Sequence, residues 1–235
     1  MKHYCYICIL LLGFVSCTND SEQLVQQSGE SSLCLVTRAG ASSDSDDLAL
    51  KVLDSEGRLY RQYAAGAIPQ KVVLEPGIFT IVLYTDNQET WHSANGGRGE
   101  ACYYVEKQVQ MIYDQMVRDT VTVPMVNYAV SLKLPEYFHD LFNSHTFALT
   151  SGGRNTTIQE GEKAYFAPSD RGFSYALQAT NTDGVTHSHS AYKFADVQSG
   201  KLYVVTYVYG LDSNTGGVDI EIKDDMQMED TDVEI

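Results

Sequence analysis

Strict alternation of apolar and polar residues is the feature that most constrains the fold of this chain. In VNYAVSLKL, one side carries Val126, Tyr128, Val130, Leu132 and Leu134, and the other carries Asn127, Ser131 and Lys133. The same period of two recurs in LALKVLD, GIFTIVLYTD, GFSYALQAT and VDIEIKD. This pattern predicts β-strands with one buried face. KLYVVTYVYG is apolar on both faces, which is typical of a central strand.

Turn-forming residues separate the predicted strands. DSEGR, EPG, SANGGRG, TSGGRN, NTDG and DSNTGG combine glycine with the Asp, Asn, Ser and Pro residues that favour tight turns. Helical spacing occurs in PEYFHDLF, which predicts a single helical turn between strands. Residues 99–117 lack helix breakers, but their apolar residues also alternate, so we predict strands around a short connection there.

The length of the chain and the order of these elements predict two tandem all-β units. Residues 31–125 and residues 126–225 each open with a strand and close with alternating strands, and each has the size of an immunoglobulin-like sandwich. The chain has 16 Tyr against one Trp, which also fits β-structure. We therefore predict two tandem immunoglobulin-like antiparallel β-sandwiches, followed by an acidic tail at residues 226–235.

The start of the chain has the layout of an export signal. A basic residue precedes an apolar run over positions 4–15, which is too short to span a bilayer. VSC at positions 15–17, with a small residue directly before cysteine, resembles the cleavage box of bacterial lipoproteins. This resemblance implies that residues 1–16 are a removed signal peptide and that Cys17 is lipidated. Phe14 departs from the Leu most common there, so cleavage elsewhere as an ordinary secreted protein is the alternative.

Residues 17–30 are polar and predict a lipidated flexible tether. Asp20 and Glu22 lie close to the predicted anchor, an arrangement that resembles the surface-export signal of Bacteroidetes lipoproteins. The resemblance implies a protein anchored by lipid in the outer membrane and facing the cell exterior, with a periplasmic orientation as the alternative. The formal net charge of −15 argues against nucleic acid as a partner, because binding to phosphate backbones requires clustered Lys and Arg.

The five cysteines divide by position. Cys5 and Cys8 belong to the predicted leader, and Cys17 to the predicted anchor. Cys34 and Cys102 remain as an even pair in an oxidising compartment, where they can form a disulfide. They can equally be two buried thiols, because cysteine packs as a small hydrophobic residue.

A longer pattern resembles a known family. LCLVTRA, LALKVLDSEGRLYRQY, VVLEPGIFTIVLYT and AYFAPSDRGFSYALQATNTDGV, within residues 31–223, resemble Bacteroidetes surface lipoproteins that carry a fimbrillin-like domain of unknown function. The resemblance implies a non-enzymatic role in adhesion or as a pilus- or fimbria-associated subunit, with other surface or pilus subunits as partners. Such proteins donate a strand to the next subunit, and trimming near an arginine such as Arg38 frees the acceptor groove in some pilins. No catalytic residue and no cofactor is implied.

Two candidate sites remain outside this pattern. Trp91 and His92 lie in the polar stretch DNQETWHSANGGRG, where an exposed indole can stack on a sugar ring. A carbohydrate-binding lipoprotein that captures host or dietary glycans is therefore the alternative function, although an indole tucked under the sandwich edge also fits. His187 and His189 share one face of an extended segment, but no third ligand has suitable spacing. We therefore predict exposed loop histidines and no metal site.

Overall fold

The structure, a computed structural model, describes residues 31–39, 47–189, 192–211 and 220–230. The predicted signal peptide, Cys17 and the tether lie outside these residues. Within the described part of the chain, no helix is long and apolar enough to cross a membrane.

Two sheets form from residues 31–125, which we call the first half. Their strands are β1 (Ser31–Ala39), β2 (Leu48–Leu53), β3 (Leu59–Tyr63), β4 (Val72–Leu74), β5 (Gly77–Thr85), β6 (Tyr104–Met111) and β7 (Met116–Val123). One sheet has the order β3-β2-β5-β6 and the other β4-β1-β7. Between β5 and β6, the chain forms a 3-10 turn (Trp91–Ser93) and the helical turn α1 (Ala94–Gly97).

Two more sheets form from residues 126–230, the second half. Their strands are β8 (Tyr128–Lys133), β9 (Phe142–Ser151), β10 (Arg154–Ile158), β11 (Lys163–Phe166), β12 (Phe173–Asn181), β13 (Thr186–Ser188), β14 (Tyr192–Phe194), β15 (Lys201–Leu211) and β16 (Ile220–Asp230). One sheet has the order β11-β8-β15-β16. The other has the order β10-β9-β12-β13, and β14 pairs with the start of β12. The helical turn α2 (Phe138–Leu141) precedes β9.

Each half has a main hydrophobic core of its own. The first core is built from buried residues between Leu33 and Met125, and the second from buried residues between Tyr128 and Tyr207. The second core is rich in aromatic rings, with Tyr128, Phe147 and Phe166 fully buried. The prediction of tandem all-β sandwiches is therefore confirmed, whereas the exact boundary at residues 125 and 126 stays a prediction.

The faces that alternation predicts to be buried in β2, β5 and β8 are buried, although Val82 and Tyr84 on the opposite face of β5 are buried as well. Val130 and Leu132 of β8 are buried, and Lys133 is exposed. The single helical turn in PEYFHDLF is present as α2, and residues 99–117 contain β6 and the start of β7. KLYVVTYVYG forms β15, which lies between β8 and β16 as expected for a central strand.

The pairing differs from the prediction in two places. β1 pairs with β7 in parallel, and β8 pairs with β15 in parallel, so the sandwiches are not purely antiparallel. The reason is that alternation is a property of one strand, while the direction of its partner depends on contacts between residues distant in sequence.

The predicted acidic tail at residues 226–235 overlaps a strand. β16 continues to Asp230, where it pairs with Lys201 at the start of β15. Backbone pairing tolerates charged side chains, and charged residues on an edge strand disfavour pairing with another chain. β16 is at the edge of its sheet.

Candidate functional site at the junction of the two halves

The loop between β5 and β6, which contains Trp91, is held at its base by side-chain amides. Asn87 donates from Nδ2 to Oε1 of Glu100 and to the carbonyl oxygen of Ala101, both at 2.9 Å. Gln88 donates from Nε2 to the carbonyl oxygen of Tyr103 at 2.8 Å. These bonds hold the loop against the start of β6, so the loop projects from a fixed base. We call residues 86–101 the junction loop.

Arg154, at the start of β10 in the second half, binds this loop. Its guanidinium carbon lies 5.5 Å from the centre of the Trp91 ring and 5.1 Å from the centre of the Phe166 ring. Nη2 donates to the carbonyl oxygen of Gly97 at 2.7 Å, and Nη1 donates to that of Tyr165 at 3.1 Å. A planar guanidinium can stack on rings and donate in its plane at the same time, which lysine cannot do. Arg154 therefore joins both halves with one side chain.

Further contacts accompany this arginine. The Tyr165 amide donates to the carbonyl oxygen of Arg98 at 2.7 Å, and the Arg98 guanidinium lies 3.0 Å from the Glu162 carboxylate. Tyr165 also packs against the core of the first half. Burial raises the pKa of the Tyr165 hydroxyl, with Tyr103 and Glu100 contributing. Together these contacts bury the junction side of β11 against the first half.

The Asn127 side chain forms hydrogen bonds with two backbone groups where the two halves meet. Its side chain donates to the carbonyl oxygen of Glu100 at 2.8 Å and accepts from the amide of Cys102 at 3.2 Å. Alternation placed Asn127 on the polar face, yet it is only 2% exposed. An amide can satisfy one backbone donor and one backbone acceptor at once, and a local pattern cannot reveal that use.

The structure places the two predicted ligand residues differently. Trp91 is half-buried, and the Arg154 guanidinium lies over its ring. His92 is exposed and packs edge-on against Trp91, with ring centres 5.9 Å apart. The sequence analysis did not identify Arg154 as a site residue. It follows a Gly-Gly turn, and no local pattern indicates that it contacts Trp91, which lies 63 positions earlier in the chain.

His187 and His189 are instead half-buried, and His187 lies close to His145 and Phe142. His187 lies on β13, and its ring is 5.9 Å from that of Phe142. His145 on β9 and His187 both pair with Ala179 of β12, which is buried. Paired residues share one face of a sheet, so both histidines point toward the core. The predicted exposure is wrong for both His187 and His189, because each is half-buried, and His187 lies in a strand rather than in a loop.

Two further contacts complete the group of His139, His145 and His187, which we call the histidine cluster. His139 on α2 lies 6.1 Å from His145 between ring centres, and its Nε2 is 3.7 Å from the Glu160 carboxylate. Burial lowers the pKa of His145, and the nearby His139 lowers it further. Burial also lowers the pKa of His189. Within the described residues, no group of three or more His, Cys, Asp or Glu side chains could hold a metal ion.

The two remaining cysteines are separate thiols in the structure. Cys34 on β1 is half-buried, Cys102 is buried, and neither is bridged. The possible disulfide between Cys34 and Cys102 stays a prediction. Burial raises the pKa of the Cys102 thiol.

Comparison with known proteins identifies the family. Residues 28–235 match the family described as "Domain of unknown function (DUF4493)". The chain belongs to the DUF4493 family. Nothing among curated proteins matches this DUF4493 chain.

Solved structures resemble the DUF4493 protein in fold. The crystal structure of a "putative cell adhesion protein" from Bacteroides eggerthii has 10% sequence identity and a TM-score of 0.51, covering 86% of this chain and 96% of that one. A second "putative cell adhesion protein", from Bacteroides uniformis, has 15% identity and a TM-score of 0.49, covering 87% and 99%. "Putative polysaccharide binding proteins" from Bacteroides thetaiotaomicron have 13% identity and a TM-score of 0.38, covering 77% and 91%. The resemblance to a Bacteroidetes family of unknown function with a fimbrillin-like fold is confirmed.

Proposed function

We propose that this DUF4493 protein is a non-enzymatic, lipid-anchored protein of the outer cell surface that acts in adhesion or as a pilus- or fimbria-associated subunit. The lipoprotein-like sequence before Cys17 supports the anchor and the location. The fold shared with the "putative cell adhesion protein" from Bacteroides eggerthii supports the adhesive role.

The position of β1 carries the subunit part of this proposal. β1 lies between β4 and β7, pairing with β7 over eight residue pairs from Ser32↔Met116 to Ala39↔Val123. Leu33 is fully buried in the core of the first half, and the Ser31 hydroxyl donates to the carbonyl oxygen of Leu74 at 2.7 Å. Loss of β1 would leave β4 and β7 with unpaired edges on either side of an apolar groove.

Such a groove is an acceptor for a guest strand. Unpaired backbone groups next to exposed apolar residues are costly, and an added strand from another chain would satisfy both. Cleavage after Arg38, which pairs with Thr122 in β7, would separate most of β1 from the rest of the chain. Polymerisation would then be triggered by proteolysis rather than by a change of conditions.

Limited trypsin digestion of the purified mature protein tests this proposal. We expect cleavage after Arg38, detected by mass spectrometry, followed by higher oligomers in size-exclusion chromatography. The R38Q variant is the matched control and should stay monomeric under the same digestion. A protein that is cut after Arg38 and remains monomeric, and that is missing from surface fibres of the cell, would overturn the subunit role.

Glycan capture is the second candidate function. It is supported by the half-buried Trp91 beside the exposed His92, although the Arg154 guanidinium occupies a position over the indole that a sugar would otherwise use. Binding to a glycan array that is lost in W91A and kept in Y104A, a change at an exposed tyrosine elsewhere in the first half, would support this function. Absence of any glycan binding would exclude it.

A further inference from the structure

The described chain enters the first half at the end opposite the junction. Ser32, near the start of β1, pairs with Met116 at the start of β7, and Ser31 pairs with Leu74 at the end of β4. β5 starts at this same end, where Gly77 pairs with Met111, and runs toward the junction loop. We call this end, with the turns at 54–58, 75–76 and 112–115, the entry end.

Exposed apolar side chains are concentrated at the entry end. The described part of the first half has eight exposed large apolar residues. Six of the eight lie at the entry end: Leu59, Tyr60, Ile78, Ile112, Tyr113 and Met116. Tyr113 is 51% exposed and Ile112 is 47% exposed, although both lie in a four-residue turn where polar residues would be the norm. Exposed apolar residues gathered at one end of a domain are candidates for an interaction surface.

Acidic residues outnumber basic residues in the three turns of the entry end. Arg58 lies 2.9 Å from the Asp54 carboxylate and 3.0 Å from that of Glu56, so both acids in this turn share one cation. Glu75 and Asp114, in the other two turns, are acidic. No basic cluster is present among the described residues of these turns, so attraction to anionic lipid is not expected.

We propose that the entry end rests on the bilayer surface, with Ile112, Tyr113 and Met116 at the level of the lipid headgroups. The inference builds on the proposed function, because lipidated Cys17 would bring this end to the membrane. Thirteen residues separate Cys17 from Ser31. A chain of that length spans about 45 Å at most, which limits how far the anchor can lie from Ser31.

Apolar turn residues beside an anchored chain can bury part of their surface among headgroups, and tyrosine suits this depth because its ring is apolar and its hydroxyl polar. The anchor supplies a high local concentration, so even weak contacts would be populated. The protein would therefore stand on the membrane with the first half below and the second half outward, rather than move freely on its tether.

Two matched tyrosines allow a direct test. Tyr113 at the entry end is 51% exposed, and Tyr137, before α2 in the second half, is 48% exposed. Full-length lipidated Y113W and Y137W are reconstituted in phosphatidylcholine vesicles that contain headgroup-level doxyl lipid. The wild-type protein, with Trp91 as its native tryptophan, gives the background. We expect several-fold stronger quenching in Y113W than in Y137W, and I112W should behave as Y113W does.

The outcomes separate this inference from the proposed function. Equal quenching in Y113W and Y137W, with Cys17 acylated by mass spectrometry, would overturn the membrane contact and leave the anchor intact. Absence of acylation at Cys17 would overturn both. Protection of Y113W from acrylamide without doxyl quenching would mean that a second copy covers this end, which would also overturn the membrane contact.

Discussion

The guanidinium of Arg154 lies 5.5 Å from the centre of the Trp91 ring, so a side chain of the second half covers the single tryptophan in the first. The same guanidinium donates to the carbonyl oxygen of Gly97 in the junction loop. Trp91 is therefore part of the contact between the halves, and Arg154 is the residue that joins them there.

We expect R154A to destabilise the protein by about 2–3 kcal/mol, because it removes two charged hydrogen bonds and the stacking on Trp91 and Phe166. Urea unfolding measures this loss, and the fluorescence of Trp91 should shift to the red as water reaches the indole. The control is R61A, because Arg61 lies 5.6 Å from the Tyr60 ring at an exposed site and should cost less than about 1 kcal/mol. Equal losses in both variants would contradict the role of Arg154.

The histidine cluster predicts loss of stability in mild acid. Burial and His139 lower the pKa of His145 from its ordinary value of 6.5, so the folded protein binds this proton less readily than the unfolded chain does. The stabilising contribution is complete above about pH 6.5 and falls as pH is lowered through 6.5 toward the folded pKa. His189, whose pKa is also lowered by burial, adds to the effect.

Urea unfolding at a series of pH values from about 7.5 to about 5 checks this dependence. We expect the free energy of unfolding to depend less steeply on pH in H145Q than in the wild-type protein. The dependence should be weaker still in H145Q/H189Q. H92Q is the control, because His92 is exposed beside Trp91 and lies outside the cluster. An unchanged slope in H145Q would show that the pH dependence arises elsewhere.

Two glycines of the second half should differ sharply in their response to alanine. Gly172 has φ +106, and a Cβ there would overlap the carbonyl oxygen of Phe194 at the end of β14. Gly184 has φ +82 in the turn after β12, and nothing lies within 4 Å of a Cβ there. We expect G172A to lower the free energy of unfolding by about 3 kcal/mol or more, because the backbone must move to make room for the Cβ. We expect G184A to lower it by about 1 kcal/mol. Thermal unfolding of both variants measures the difference, and similar values would contradict the packing at Gly172.

The two thiols should react at different rates. Cys34 is half-buried, whereas Cys102 is buried and burial raises the pKa of its thiol, which reduces the reactive thiolate. We expect one fast and one slow modification of the lipidated mature protein by a thiol reagent, with the fast phase lost in C34S. If the denatured, unreduced protein showed neither reaction, a disulfide between Cys34 and Cys102 would be present instead.

Period-two alternation by itself identified one buried face of several strands. Val130 and Leu132 could be assigned to the core because successive side chains of any strand point to opposite faces, whatever strand lies beside it. The turns and the family resemblance were also predicted from the sequence, because turn-forming residues and the succession of strands along the chain are local properties. The all-β fold could thus be predicted before any contact was known.

Only the tertiary structure decided which strands pair and which side chains meet. It placed β1 between β4 and β7, with β1 and β7 parallel. It also extended β16 to Asp230 and placed the Arg154 guanidinium over the Trp91 ring. It also buried Asn127, which alternation had assigned to the polar face. These outcomes depend on contacts between residues far apart in the chain, and the free energy of such contacts is set by shape and hydrogen-bond geometry that no local pattern records.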